Sequence, residues 1–136
     1  METININGKD FSIEELNRLI AQSKNPMQKV WDYHGISEEA FNNMYKGLPA
    51  HIKAYAKECL VVDFYNKGWK PDWNDSAQKK YYLWLEYKNG APTFNDWVYY
   101  SSCSSVPSRL YLKSKEDVLD MKKNFMDVII ESRKFN

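Results

Sequence analysis

The sequence predicts an α+β fold: N-terminal helices and a long central helix, then a three-stranded antiparallel meander and a C-terminal helix. Three observations lead there. Apolar residues recur at helical spacing from Ile13 to Phe64 and again after Ser114. From Lys80 to Lys113 the period shortens to two, in runs of tyrosine, tryptophan and leucine that favour pleated surfaces. Between the two regimes lies Gly68–Ser76, where Pro71 and a cluster of Asn, Asp and Ser break the helix and offer side-chain oxygens for turns.

The elements follow in order. Ile4 and Ile6 allow either a short strand within Met1–Lys9 or a frayed end. Ser12 is an N-cap with Glu15 completing a capping box, so a helix starts at Ile13 and stops near Ser23, ahead of Asn25-Pro26. Met27 to Tyr33 reads as a short helical turn. Ser37 caps a helix over Glu38–Lys46, with two acids in its first turn and Gly47 at its end. Pro49 opens the longest helix, whose broad apolar face is Ile52, Tyr55, Ala56, Cys59, Leu60 and Phe64, widened by Val61 and Val62. Tyr81 to Tyr87 is a strand, Asn89-Gly90 a hairpin turn with a loop extending to Pro92, and Thr93–Tyr100 the return strand. A serine-rich connector, 101–107, leads to a third strand over Ser108–Lys113. Ser114, with Asp117 three residues on, caps the last helix, whose buried stripe is Val118, Met121, Phe125 and Ile129, flanked by Met126. The whole is one domain, 1–136, with a helical part over 1–47 and a helix-β-β-β-helix unit over 48–136.

Composition narrows the function. A hydrophobic fraction of 43% and a charged fraction of 27% are those of an ordinary globule, with a net charge of +1 and no charge-biased segment. No bulk field therefore draws the chain to nucleic acid or an anionic membrane. No apolar run has the length of a membrane span. Met1–Asp10 lacks the apolar core of a signal peptide, and Cys59 and Cys103 make no disulfide framework. A cytoplasmic protein with reduced thiols is expected.

Motifs for catalysis and metal binding are missing. His34 and His51 read as surface or capping histidines, and with the two cysteines they show no zinc-ligand spacing. The serine run holds no nucleophile elbow, although serines with Arg109 close behind suit an anion. No glycine-rich phosphate loop is present, and no cofactor is implied. A helix-turn-helix over 13–46 fits poorly, because the connection is long and the second helix begins with acids.

Aromatic residues are the strongest functional signal. Four of the five tryptophans lie between positions 69 and 97. Trp69 and Trp73, around a proline, either pin the loop over one end of the sheet or clamp a flat ligand or peptide. If Leu83, Leu85, Leu110 and Leu112 face the core, then Tyr82, Trp84, Arg109, Tyr111 and Lys113 share the other face. Aromatics interleaved with bases suit single-stranded nucleic acid or a nucleotide, unless the helical half covers them as core.

The string GWKPDWNDSAQKKYYLWLEY, preceded by IKAYAKECLVVDFYNKGW and followed by SSVPSRLYLKSKEDV, resembles a group of uncharacterised small accessory proteins encoded by bacteriophages and prophages of gut bacteria. The shared features are G-W-x-P-D-W at the end of a helix, K-Y-Y-x-W in a strand and S-R-L-x-x-K-S before the last helix, over about residues 50–135. Pro107 stands where that group carries a small residue or glycine, and the last helix lacks its alanine-rich pattern. The resemblance implies a non-enzymatic, phage-encoded protein of the host cytoplasm that acts by binding. Its expected partner is a host or defence protein, inhibited or sequestered, or a small nucleotide signal. The alternatives are a single-stranded nucleic-acid-binding protein using the aromatic and basic sheet face, and a virion or assembly component. No membrane partner is expected, and the composition is compatible with a homo-oligomer.

Overall fold

The computed structural model describes residues 2–100 and 106–134, with the backbone alone for 94–100. Cys103 and the serines of the connector, 101–105, therefore lie outside the described residues. The chain opens with a hairpin, β1 (Thr3–Ile6) paired with β2 (Lys9–Ser12). Asn7 and Gly8 make its turn, both with positive φ, as a two-residue turn matching the strand twist requires. That pair is the signal for a hairpin where the sequence left a strand or a frayed end open. The Ser12 hydroxyl accepts from the Glu15 amide at 3.1 Å and starts α1 (Ile13–Lys24), as expected. No residue of α1 is buried.

Met27–His34 is a complete helix, α2, which buries Met27, Val30 and Trp31. The Ser37 hydroxyl caps α3 (Glu38–Met44) by accepting from the Ala40 amide at 3.0 Å. Pro49 precedes α4 (Ala50–Asn66) as its N-cap rather than its first residue. At 17 residues α4 is shorter than the 19 of α5 (Lys115–Arg133), which is the longest helix among the described residues. The face of α4 expected to be buried is only partly covered, and Ile52 is 40% exposed. Its buried stripe is Ala54, Glu58, Val61, Val62 and Tyr65, and the helix packs chiefly on α5. Glu58 hides this stripe in the sequence, because a carboxylate in the middle makes it read as solvent-facing. The carboxylate is buried by pairing with Arg133 at 2.5 Å and accepting from the Ser132 hydroxyl.

β3 (Lys80–Lys88) and β4 (Ala91–Tyr100) form the second antiparallel pair. Lys88 pairs with Ala91 around Asn89-Gly90, so the loop is two residues long and does not extend to Pro92. The alternation of a two-residue hairpin leaves the Tyr87–Pro92 pair without ladder hydrogen bonds, so the missing N–H of proline costs nothing there. Trp84 opposes Asp96 and Leu85 opposes Phe94, which makes Asn95 a bulge.

The expected third strand does not form. Ser108–Leu110 is a single 3₁₀ turn, in which the Leu110 amide donates to the Pro107 carbonyl and the Tyr111 amide to the Ser108 carbonyl. Those two amides are thereby withdrawn from any ladder. One bridge remains, Tyr81 with Leu112, through hydrogen bonds of 3.0 and 2.7 Å. On the far side of this segment Asn66 takes a strand's place: its Nδ2 donates to the Tyr111 carbonyl at 2.8 Å and its Oδ1 accepts from the Lys113 amide at 3.2 Å. Held from both edges, Leu110, Tyr111 and Leu112 are all buried, and the expected in-out alternation is absent.

The core gathers Trp31 and Phe41 from the N-terminal helices, Val61 and Val62 from α4, Leu83 and Leu112, and Val118, Met121, Phe125 and Ile129 from α5. That α5 stripe is the expected one, as is its cap: the Ser114 hydroxyl accepts from the Asp117 amide at 3.1 Å. Among the described residues no helix is long and apolar enough to cross a membrane.

Candidate ligand-binding basin

The segment after α4 is irregular and tied by local hydrogen bonds. Lys67 and Gly68 end the helix with positive φ, and the Trp69 amide donates to the Asn66 carbonyl at 2.9 Å. Beyond Pro71 the loop is tied by its own side chains. Asp72 Oδ1 accepts from the Asn74 amide, Asp75 Oδ1 from the Ala77 amide, and Gln78 Oε1 from the Asp72 amide at 2.6 Å. Lys80, fully buried, runs its ammonium back under the loop to the carbonyls of Asp75 and Gln78 and sits 5.2 Å from the Trp73 ring centroid. The Trp73 ring meets Tyr111 edge-on at 5.1 Å, which sets its orientation.

This geometry brings Trp69, Trp73 and Arg109 around one open basin of about 550 Å³. Ser108 and Arg109 come from the 3₁₀ turn, Asp63 and Asn66 from the end of α4, and Tyr33 and His34 from α2. His34 Nε2 lies 2.8 Å from the Leu60 carbonyl. A carbonyl only accepts, so Nε2 carries the proton, and in the neutral ring Nδ1 is an acceptor. Tyr33 packs edge-on against His34 and Phe64. The Lys67 ammonium rests 3.6 Å from the Phe64 centroid and 4.3 Å from that of Tyr33. Burial against these rings, and then the charge of Lys113, hold its pKa below the usual lysine value. Charged side chains on the basin wall are Lys70 and Arg109 against the single carboxylate of Asp63, a balance that favours an anion.

The other expected site residues are elsewhere. Tyr82 and Tyr111 are buried and pack edge-on at 5.3 Å, closing the sheet face that was to carry them. Trp84 is 51% exposed beside Tyr87 and Arg133, away from the basin. Lys113 pairs with Asp117 and donates to the Tyr65 carbonyl, in a separate cavity. Tyr82, Trp84, Arg109, Tyr111 and Lys113 therefore do not form one open platform. The reason is the 3₁₀ turn, which takes Arg109 to the α4 side and folds Tyr111 inward.

Tyr33, His34, Asp63 and Asn66 were not singled out for this site by the sequence, and nothing local could have done so. They reach it through the packing of α2 and α4. Cys59, on the other wall of α4, is half-buried, and burial pushes its thiol up, away from nucleophilic use. Among the described residues no group of three or more His, Cys, Asp or Glu side chains is placed to hold a metal ion. Compared with protein-family models, curated proteins and solved structures, the chain shows no match.

Proposed function

We propose that the protein works by binding rather than by catalysis, and that its basin takes a flat, anionic small molecule of the nucleotide class. The observation that carries this reading is the convergence of Trp69, Trp73 and Arg109 around one cavity, with Lys70 adding charge. Indole faces offer stacking to any planar ring, and the guanidinium pairs with phosphate oxygens. The volume is within the range of small-molecule sites. In the setting of the phage accessory proteins that the chain resembles, the role is sequestration of a host's small-molecule defence signal.

Tryptophan fluorescence tests this directly, with a panel of cyclic and linear nucleotides titrated into the protein. A saturable change is expected. Replacing Trp69 by alanine removes a stacking contact worth about 1–3 kcal/mol and weakens binding roughly 5- to 150-fold. Trp84→Ala, away from the basin, leaves the affinity unchanged. Silence across the whole panel would remove the nucleotide reading and turn the search to a protein partner.

A further inference from the structure

The apolar stripe of α4 that the core covers only in part lines a second cavity. Ile52, Ala56 and Leu60 form one wall, and Phe41 and Met44 of α3 form the other, around a groove of about 580 Å³. Phe41 is held as its floor by ring contacts to Trp31 and Tyr45, at 5.1 and 4.8 Å, whereas Met44 at the rim is 66% exposed. The charged residues of the groove are Asp63 and Arg109, and both also line the Trp69–Trp73 basin. The two cavities thus meet at Arg109. Among the described residues Arg109 has no carboxylate within salt-bridge distance. Its charge nevertheless reaches the Tyr55 hydroxyl and the Cys59 thiol on the groove wall, partly offsetting the burial that raises both.

We infer that the binding site continues past Arg109 into this groove, which takes a linear aliphatic chain whose anionic end is held by the Arg109 guanidinium. The inference rests on the reading of the basin as a ligand site and adds the ligand's second half. An apolar trench with its one cation at the end that adjoins the basin fits an anion carrying a hydrocarbon tail. A uniformly polar ligand would leave the trench wet, and a plain hydrocarbon would make no use of the guanidinium. Met44, flexible and polarizable, suits a wall that must close on chains of different length.

The test is calorimetric titration of the full chain with linear carboxylates from hexanoate to dodecanoate, below their aggregation concentrations. Affinity should rise about fourfold for each methylene buried. Arg109→Gln should abolish the preference for a carboxylate over the alcohol of equal length. Met44→Asp, at an exposed position that leaves the fold intact, and Ala56→Trp, which fills the groove, should both erase the length dependence. A flat series, or one that persists in both groove variants, overturns the inference. Nucleotide titrations of the same variants separate the two ideas. A nucleotide response that survives in Met44→Asp while the carboxylate series is flat sinks the groove and keeps the basin. A length-dependent series without any nucleotide response does the reverse.

Discussion

Glu58 shows how one residue can set both packing and pH response. Its side chain is 1% exposed, and burial raises its carboxyl above the usual 4.5, with Arg133 and the Ser132 hydroxyl pulling the other way. A carboxyl that holds its proton more tightly folded than unfolded contributes stability fully below its unfolded pKa. That contribution is lost as pH rises through the higher folded value. Glu58→Gln does not titrate, so its melting temperature should gain on the parent's as pH is raised from about 4.5 towards neutrality. A constant difference across that window would refute the raised carboxyl. Arg133→Met leaves the charge buried without its partner and should cost about 3 kcal/mol at neutral pH, less in acid where Glu58 takes up a proton. Thermal denaturation of both variants across the pH range measures this. The residue was unreadable in advance: its partners lie 74 and 75 positions away.

Among the elements, the segment expected as a third strand is the most instructive. Alternating Leu110 and Leu112 with Arg109 and Tyr111 fits a strand, yet Pro107 starts a 3₁₀ turn that uses the amides a strand would need. What keeps Tyr111–Lys113 extended is Tyr81 on one edge and the Asn66 amide on the other. Asn66→Ala would leave a buried carbonyl and a partly buried amide without partners, at about 1–3 kcal/mol each. A fall in stability of about 2–6 kcal/mol is expected by denaturant titration. It should come with loosening of Arg109, and hence weaker binding of the nucleotide proposed for the basin; a loss under about 0.5 kcal/mol would mean water replaces the asparagine. The starts of α1, α3 and α5, by contrast, were legible. Ser12, Ser37 and Ser114 cap as expected, because a cap bond spans three residues and needs nothing from the rest of the chain.

Across the whole molecule stability is unevenly distributed. Residues 3–24 place no side chain in the core, and Ile4, Ile6, Ile13, Leu19 and Ile20 are all more than 40% exposed. A two-stranded hairpin and a 12-residue helix are marginal on their own. Amides of β1, β2 and α1 should therefore exchange with solvent through local opening, orders of magnitude faster than those of α4 and α5. Hydrogen-exchange mass spectrometry resolves the difference. Equal protection in the N-terminal segment and the α4–α5 pair would show that a partner, a second copy included, covers those exposed side chains. The basin sits on the well-packed part, assembled from α2, the end of α4, the loop carrying Trp69 and Trp73, and the turn carrying Arg109.

By itself the sequence determined what short-range bonding determines: the α+β class, the three serine-capped helix starts, the place though not the length of the Asn-Gly turn of the second hairpin, and the irregular loop around Pro71. It also drew attention to Trp69, Trp73, Tyr82, Trp84, Arg109, Tyr111 and Lys113, but not to which of them share a cavity. Only the tertiary structure decided which stripe of α4 faces the core, that Tyr82 and Tyr111 are interior, and that Arg109 joins the tryptophans instead of the sheet face. The physical reason is range. Caps and turns are settled by hydrogen bonds between neighbours along the chain, whereas a side chain's burial depends on what distant segments bring to it. Two distant partners make buried Glu58 part of the core, and a single 3₁₀ turn takes Arg109 to the tryptophans.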